Sequence, residues 1–144
     1  GMLQALKIIG DETFIAVNGD IWSDVDYALL PKAISGMAYL VLVDNPEHNA
    51  KGDFVLDESG RVQSDGENKL TFSGIGIYQP ALFANWREIV GDAKGADETP
   101  PRFKLAPLLR HAMHKGLVAG AHHDGRWTDV GTPERLEALN LGLL

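Results

Sequence analysis

Two short aspartate motifs carry the chemistry that can be read from this chain. Phe14-Ile15-Ala16-Val17 runs straight into Asn18-Gly19-Asp20, and Trp127-Thr128 runs into Asp129-Val130-Gly131-Thr132. Each is a carboxylate close to a glycine, after an apolar or β-prone run. Taken singly, either motif is explained by a turn, because Asn and Gly tolerate positive φ and Asp orients turns and helix starts. Taken together they offer two hard oxygen ligands from separate strand ends. Mg²⁺ accepts a couple of carboxylates and leaves its other positions to water and phosphate oxygens. The glycines beside them, Gly19 and Gly131, would let a bulky phosphate ester approach the backbone. At this level a turn and a metal site both remain open.

The elements that must position these residues follow from periodicity. "LQALKII" (3–9) has apolar groups at helical spacing and Gly10 as a stop. "FIAV" reads as a strand buried on both faces, and "MAYLVLVD" (37–44) is the strongest strand signal, again of the central, doubly covered kind. Asp24 is placed to cap a helix through "VDYALLPKAI", limited by Pro31. "NPEHNAKGD" (45–53) is a loop, and "FVLDESGRVQ" (54–63) a hairpin. In "KLTFSGIGIYQP" (69–80) the Ser73-Gly74 pair interrupts the alternation, which predicts a bulge or a close backbone approach. "PALFANWREIV" and "FKLAPLLRHAMHKG" read as helices, separated by a polar Gly/Pro loop over 91–102. "VAGAHHDG" and "RWTDVG" read as two short strands around Asp124-Gly125. Thr132-Pro133-Glu134 is a helix start: cap, first-position proline, first-turn acid. Alternating strands and helices make this an α/β chain with a mixed, mainly parallel sheet. Ligands of such sheets sit beyond the carboxyl ends of strands.

Composition narrows the function. The chain has 144 residues, suited to a single domain over 1–144, with 44% hydrophobic and 23% charged residues, a soluble globular balance. A formal net charge of −7 argues against nucleic-acid binding, which needs basic surface. The absence of cysteine excludes disulfides, thiolate catalysis and cysteine-held metals. No apolar run approaches a membrane span, and the start is a poor signal peptide, so a cytoplasmic location and no membrane partner are expected.

"FIAVNGDIWSDVDYALL", "LVLVDNPEHNAKGDF", "LTFSGIGIYQPALF", "FKLAPLLRHAM" and "WTDVGTPERLEALN" resemble, in order and spacing, segments of sugar-1-phosphate nucleotidyltransferases. The uridylyltransferases of N-acetylmuramate α-1-phosphate come nearest, followed by mannose-1-phosphate guanylyltransferase-like proteins. The resemblance implies a Rossmann-like fold on which a sugar 1-phosphate attacks the α-phosphorus of a nucleoside triphosphate and pyrophosphate leaves. It implies that Asp20 and Asp129 hold Mg²⁺, the charge-neutralising role that phosphoryl transfer needs. It places Asn18 and Gly19, Asp44 and Asn45, Thr71, Ser73 and Gly74, Lys104 and Trp127 near the substrates. Each of these has a plainer reading as well: a loop start for Asp44-Asn45, a bulge for Gly74, a solvated helix-start lysine at 104, a core or cleft-wall tryptophan at 127. His111 with His114, and His122 with His123, read as surface residues, since no third zinc ligand accompanies either pair.

The family's opening strand and G-x-G-x-R phosphate loop, which grips the triphosphate through backbone N–H groups and basic side chains, is not among these residues. The chain is therefore expected to be the carboxy-terminal part of a nucleotidyltransferase domain, with little activity alone and an apolar sheet edge that drives it into a homo-oligomer. A non-catalytic module that binds sugar phosphate, and a glycosyltransferase-like domain, are the rival readings.

Overall fold

The structure is a computed structural model that describes residues 1–142. Helix α1 (Met2–Ile9) leads into strand β1 (Phe14–Val17) and, after a turn, β2 (Ile21–Ser23). Strand β3 (Ala38–Val43) follows, then a hairpin of β4 (Val55–Leu56) and β5 (Val62–Gln63), and the long β6 (Thr71–Tyr78). Helices α2 (Trp86–Val90) and α3 (Ala106–His114), strands β7 (Val118–His122) and β8 (Trp127–Asp129), and helix α4 (Pro133–Asn140) complete the order. Among the described residues no helix is long and apolar enough to cross a membrane.

The main sheet has the order β1-β6-β3-β7. β6 is antiparallel to both of its neighbours, and β3 is parallel to β7. It follows that β1, β3 and β7 run the same way and β6 alone is reversed, which is the mixed α/β sheet expected. Alternation along β3 sends Leu40 and Leu42 into the core shared with Leu108, Leu109, Ala112 and Met113 of α3, while Val41 and Val43 are buried on the other face. Each fully buried leucine of this set contributes roughly 2 kcal/mol relative to exposure. The outer edge of β7 is met by the β4–β5 hairpin, where Gly120 donates its N–H to the Gly60 carbonyl at 3.0 Å.

The bulge expected at Ser73-Gly74 is present. Leu40 faces Gly76 and Leu42 faces Phe72, so Ser73, Gly74 and Ile75 stand against Val41 alone. The inserted turn closes on itself: Ser73 Oγ donates to the Val41 carbonyl at 2.7 Å and accepts from the Ile75 N–H at 3.1 Å. Gly74 takes φ +84°, a conformation that favours glycine.

Three expectations are corrected. β1 is covered on one face only: Phe14 and Ala16 pack on the core, while Ile15 and Val17, on the alternate face, are 49% and 45% exposed. Asp24 caps no helix; Asp26 does, accepting the Ala28 N–H at 2.9 Å, and the helix is one tight turn over Tyr27–Leu29. "PALFANWREIV" is split into a tight turn, Pro80–Phe83, and the five-residue α2. The two short strands expected around Asp124-Gly125 are present, and they pair apart: β7 joins β3 and β8 joins β2.

Candidate functional site

That last pairing builds the site. β1 ends at Val17, and the chain turns through Asn18-Gly19-Asp20 into β2. β8 lies antiparallel to β2 with Ile21 opposite Asp129, Trp22 opposite Thr128 and Ser23 opposite Trp127. Past the ladder, Val130 donates its N–H to the Asp20 carbonyl at 2.7 Å. Two aspartates from opposite ends of the sequence therefore come close together beyond the carboxyl end of β1, Asp20 in the turn and Asp129 on the first rung of the β2–β8 ladder. Gly131 lies between their surroundings: a β-carbon there would be 3.7 Å from Asp20 Oδ2 and 3.6 Å from Arg135 Nη2.

The two-stranded unit is tied to the main sheet at the bulge. Trp127 donates its indole N–H to the Ser73 carbonyl at 2.9 Å, and Asn18 donates its backbone N–H to the Gly74 carbonyl at 2.9 Å. The two extra residues of the β6 bulge thus turn the Ser73 and Gly74 carbonyls outward to receive β8 and the end of β1. Gly74 cannot carry a side chain here, because a β-carbon would fall 2.8–2.9 Å from the side-chain atoms of Asn18.

A third wall comes from the loop after β3. Asn45 accepts from Thr71 Oγ1 at 2.8 Å and donates to the Lys69 carbonyl at 2.8 Å. Asn49 donates to Thr71 Oγ1 at 3.1 Å, and Asp53 accepts the Phe72 N–H at 2.9 Å. Stitched in this way to the start of β6, the loop presents His48 to Asp129. His48 Nε2 donates to Asp129 Oδ2 at 2.6 Å, and Arg135 Nη1 ion-pairs with Asp129 Oδ1. Arg135 Nη1 also lies 3.2 Å from His48 Nε2.

The result is a polar cleft of about 390 Å³. Of the residues picked from the sequence, Asn18, Asp20, Thr71, Ser73, Trp127 and Asp129 line it. Ser73 does so by its backbone, since its hydroxyl is turned inward to Val41. Gly19, Asp44, Asn45, Gly74 and Lys104 are not among the lining residues. Asp44 pairs instead with His122 Nε2 at 3.0 Å, Asn45 spends its amide on the loop, and Lys104 is exposed ahead of α3. His123 pairs with Asp24 at 2.8 Å. The Asp24 carboxyl is held below its ordinary pKa, first by a backbone hydrogen bond at Arg126 and then by His123.

Sequence reading missed His48, Asn49 and Asp53, which line the cleft, and Arg135, which pairs with Asp129 at its rim. The first three lie in a stretch whose composition says only "loop". Arg135 had a signal. It stands in the first turn of α4, at the positive end of the helix, where an acid such as Glu134 is the stabilising choice. Among the described residues no group of three or more His, Asp or Glu side chains forms a complete metal cage. Three carboxylates line the cleft; Asp53 is engaged by the Phe72 N–H, which leaves Asp20 and Asp129 as the pair that suits a cation keeping water and phosphate ligands.

No family model matches the chain. It is 42% identical over 146 aligned residues, 95% of its length, to an N-acetylmuramate α-1-phosphate uridylyltransferase from Neisseria meningitidis serogroup B, and spans 58% of that protein. Its fold is that of a Bacillus anthracis structure assigned as a glucose-1-phosphate thymidylyltransferase, with a TM-score of 0.71 and 14% identity over 97% of this chain and 58% of the other. A nucleoside-diphosphate-sugar pyrophosphorylase from Vibrio cholerae matches with a TM-score of 0.63 and 15% identity over 94% and 59% of the two chains. The resemblance to sugar-1-phosphate nucleotidyltransferases read from the sequence therefore holds, over somewhat more than half the length of the relatives.

Proposed function

We propose that this homologue of the sugar-1-phosphate nucleotidyltransferases is the sugar-phosphate and metal half of a cytoplasmic, Mg²⁺-dependent enzyme. The reaction joins a sugar 1-phosphate to a nucleoside triphosphate, with uridylyl transfer to N-acetylmuramate α-1-phosphate as the substrate pair favoured by the relative. A phosphate oxygen of the sugar 1-phosphate bonds to the α-phosphorus, the bond from that phosphorus to the bridging oxygen of the β-phosphate breaks, and pyrophosphate leaves with the electron pair. The observation that carries this reading is that Asp20, in the turn before β2, and Asp129, at the end of β8, line one polar cleft.

Asp20 and Asp129 would hold the divalent cation. When bound, it neutralises charge on the phosphoryl oxygens and fixes them for in-line attack. The chain's own residues do the rest of the positioning. Trp127 forms one wall of the cleft and is pinned by its indole N–H. Asn18 lines the cleft with a polar side chain. Thr71 holds the loop that carries His48, through Asn45 and Asn49.

These 144 residues contain no G-x-G-x-R segment, so the cationic and backbone groups that offset a triphosphate must come from elsewhere. The polypeptide alone is therefore nearly inactive, and the open edge of β1, with Ile15 and Val17, pairs it with a second copy. Calorimetry tests the core of the reading. The chain should bind N-acetylmuramate α-1-phosphate when Mg²⁺ is present and release it on chelation. Binding that ignores the chelator contradicts a metal-bridged site.

A further inference from the structure

Arg135 is placed against the grain of its own helix. Its guanidinium adds positive charge to the first turn of α4, where the free N–H groups already make the end electropositive. The acids around it explain why it stays. Asp20, Asp53 and Asp129 line the cleft, and no lysine or arginine is among the described lining residues. Arg135 meets the cleft at its rim, by pairing with Asp129, and its other terminal nitrogen faces Gly131 on the side of Asp20. It is one-third exposed, so it can reorient without breaking the core.

We propose that Arg135 is an exchangeable phosphate ligand, paired with Asp129 while the cation site is empty and turned to phosphoryl oxygens once a divalent cation takes that carboxylate. This rests on the two-carboxylate metal site proposed above. The charge balance requires such a change. With three carboxylates and one guanidinium the cleft is net negative and repels a phosphate. A divalent cation brings the sum to zero and leaves Arg135 without need of Asp129. A planar guanidinium then has two parallel donors free for the geometry that phosphate offers. His48 stays on the second Asp129 oxygen, so the carboxylate remains aimed as Arg135 departs. The ligand class is a phosphate monoester or polyphosphate, either the sugar 1-phosphate or the triphosphate.

The test separates exchange from a structural role, because the exchange predicts effects of opposite sign. Manganese binding is followed by paramagnetic resonance, and N-acetylmuramate α-1-phosphate and UTP are titrated separately by calorimetry in saturating Mg²⁺. Arg135→Gln removes a competing cation, so Mn²⁺ should bind about threefold tighter or better. The same variant should bind phosphate about tenfold or more weakly, as loss of a charged hydrogen bond implies. Arg135→Lys, which keeps the charge, should retain part of the phosphate affinity and guards against misfolding of the glutamine variant. A tenfold loss in either arm supports the assignment and identifies which phosphate Arg135 meets. Unchanged affinity in both arms, or metal and phosphate affinity falling together, overturns it. If the wild-type chain takes up Mn²⁺ and Asp129→Asn does not, an indifferent Arg135→Gln sinks this inference alone. If the wild-type chain takes up no Mn²⁺, the metal site and the exchange fail together.

Discussion

The backbone N–H of Val130 donates to the carbonyl of Asp20 across 2.7 Å, and the residue on either side of that bond matters more than the bond itself. It fastens the Asn18-Gly19-Asp20 turn to the chain just after β8, beside the cleft that Asp20 and Asp129 both line. A site carried on paired strands holds its ligands more firmly than one carried on a loop.

Gly74→Ala tests the anchor at the bulge. The position has φ +84°, and an added β-carbon would lie 2.8–2.9 Å from Asn18. Strain of this kind costs about 1–3 kcal/mol. Urea unfolding should show a lower midpoint with an unchanged slope, and sugar-phosphate binding should weaken as Asn18 is pushed aside. A midpoint equal to wild type would show that the bulge is not held as described.

Trp127→Phe keeps an aromatic wall but removes the donor to the Ser73 carbonyl. A net hydrogen bond contributes about 1 kcal/mol. For a chain of this length that corresponds to a fall in Tm of roughly 2–4 °C. Trp127→Ala should cost more than Trp127→Phe, since it removes the packed ring as well. Equal melting temperatures for wild type and the phenylalanine variant would argue that the indole bond carries no stability.

Acid should loosen the β4–β5 hairpin through Asp57. Its carboxylate accepts from Ser59 Oγ at 2.6 Å, Arg61 N–H at 3.0 Å and Gln63 Nε2 at 2.9 Å. These bonds, that from Ser59 first, lower its pKa from 3.8 to about 2. The folded pKa lies below the unfolded one, so the stabilisation is present above pH 3.8 and is lost as pH falls towards 2. Asp57→Asn should therefore differ most from wild type near neutrality and converge with it as pH drops through that window. Thermal melts of the two proteins at matched ionic strength check this; a gap that widens in acid contradicts it.

Much of this fold was legible in the residues, and the exceptions are instructive. β3 announced itself as an unbroken apolar run, α4 by Thr132-Pro133-Glu134, and the β6 bulge by Ser73-Gly74 inside an alternating strand. Asp20 and Asp129 stand out because each follows a β-prone run and lies close to a glycine, Gly19 or Gly131. Long-range pairing was not legible: nothing local distinguishes β8 pairing with β2 from β8 pairing with β7. The same blindness placed Asp44 and Asn45 near the ligand. They do end the central strand, but Asn45 is consumed by Thr71 and Lys69, and Asp44 by His122. His48 lay in a loop without periodicity, and its meeting with Asp129 exists only in three dimensions.

The uncovered face of β1 predicts self-association. Val17→Lys places a charge on an exposed apolar edge, a device that natural edge strands use to prevent pairing. Light scattering should show an assembly for the wild-type chain and a smaller species for the variant. A wild-type monomer at high micromolar concentration would contradict the expected pairing.

The central claim is that Asp20 and Asp129 share one divalent cation. Manganese titration watched by paramagnetic resonance tests it most directly. One ion per chain should bind to the wild type, and Asp20→Asn and Asp129→Asn should each lower its affinity at least about tenfold while the far-ultraviolet dichroism stays native. Wild-type affinity retained in either folded variant would mean that the two carboxylates do not hold a common metal.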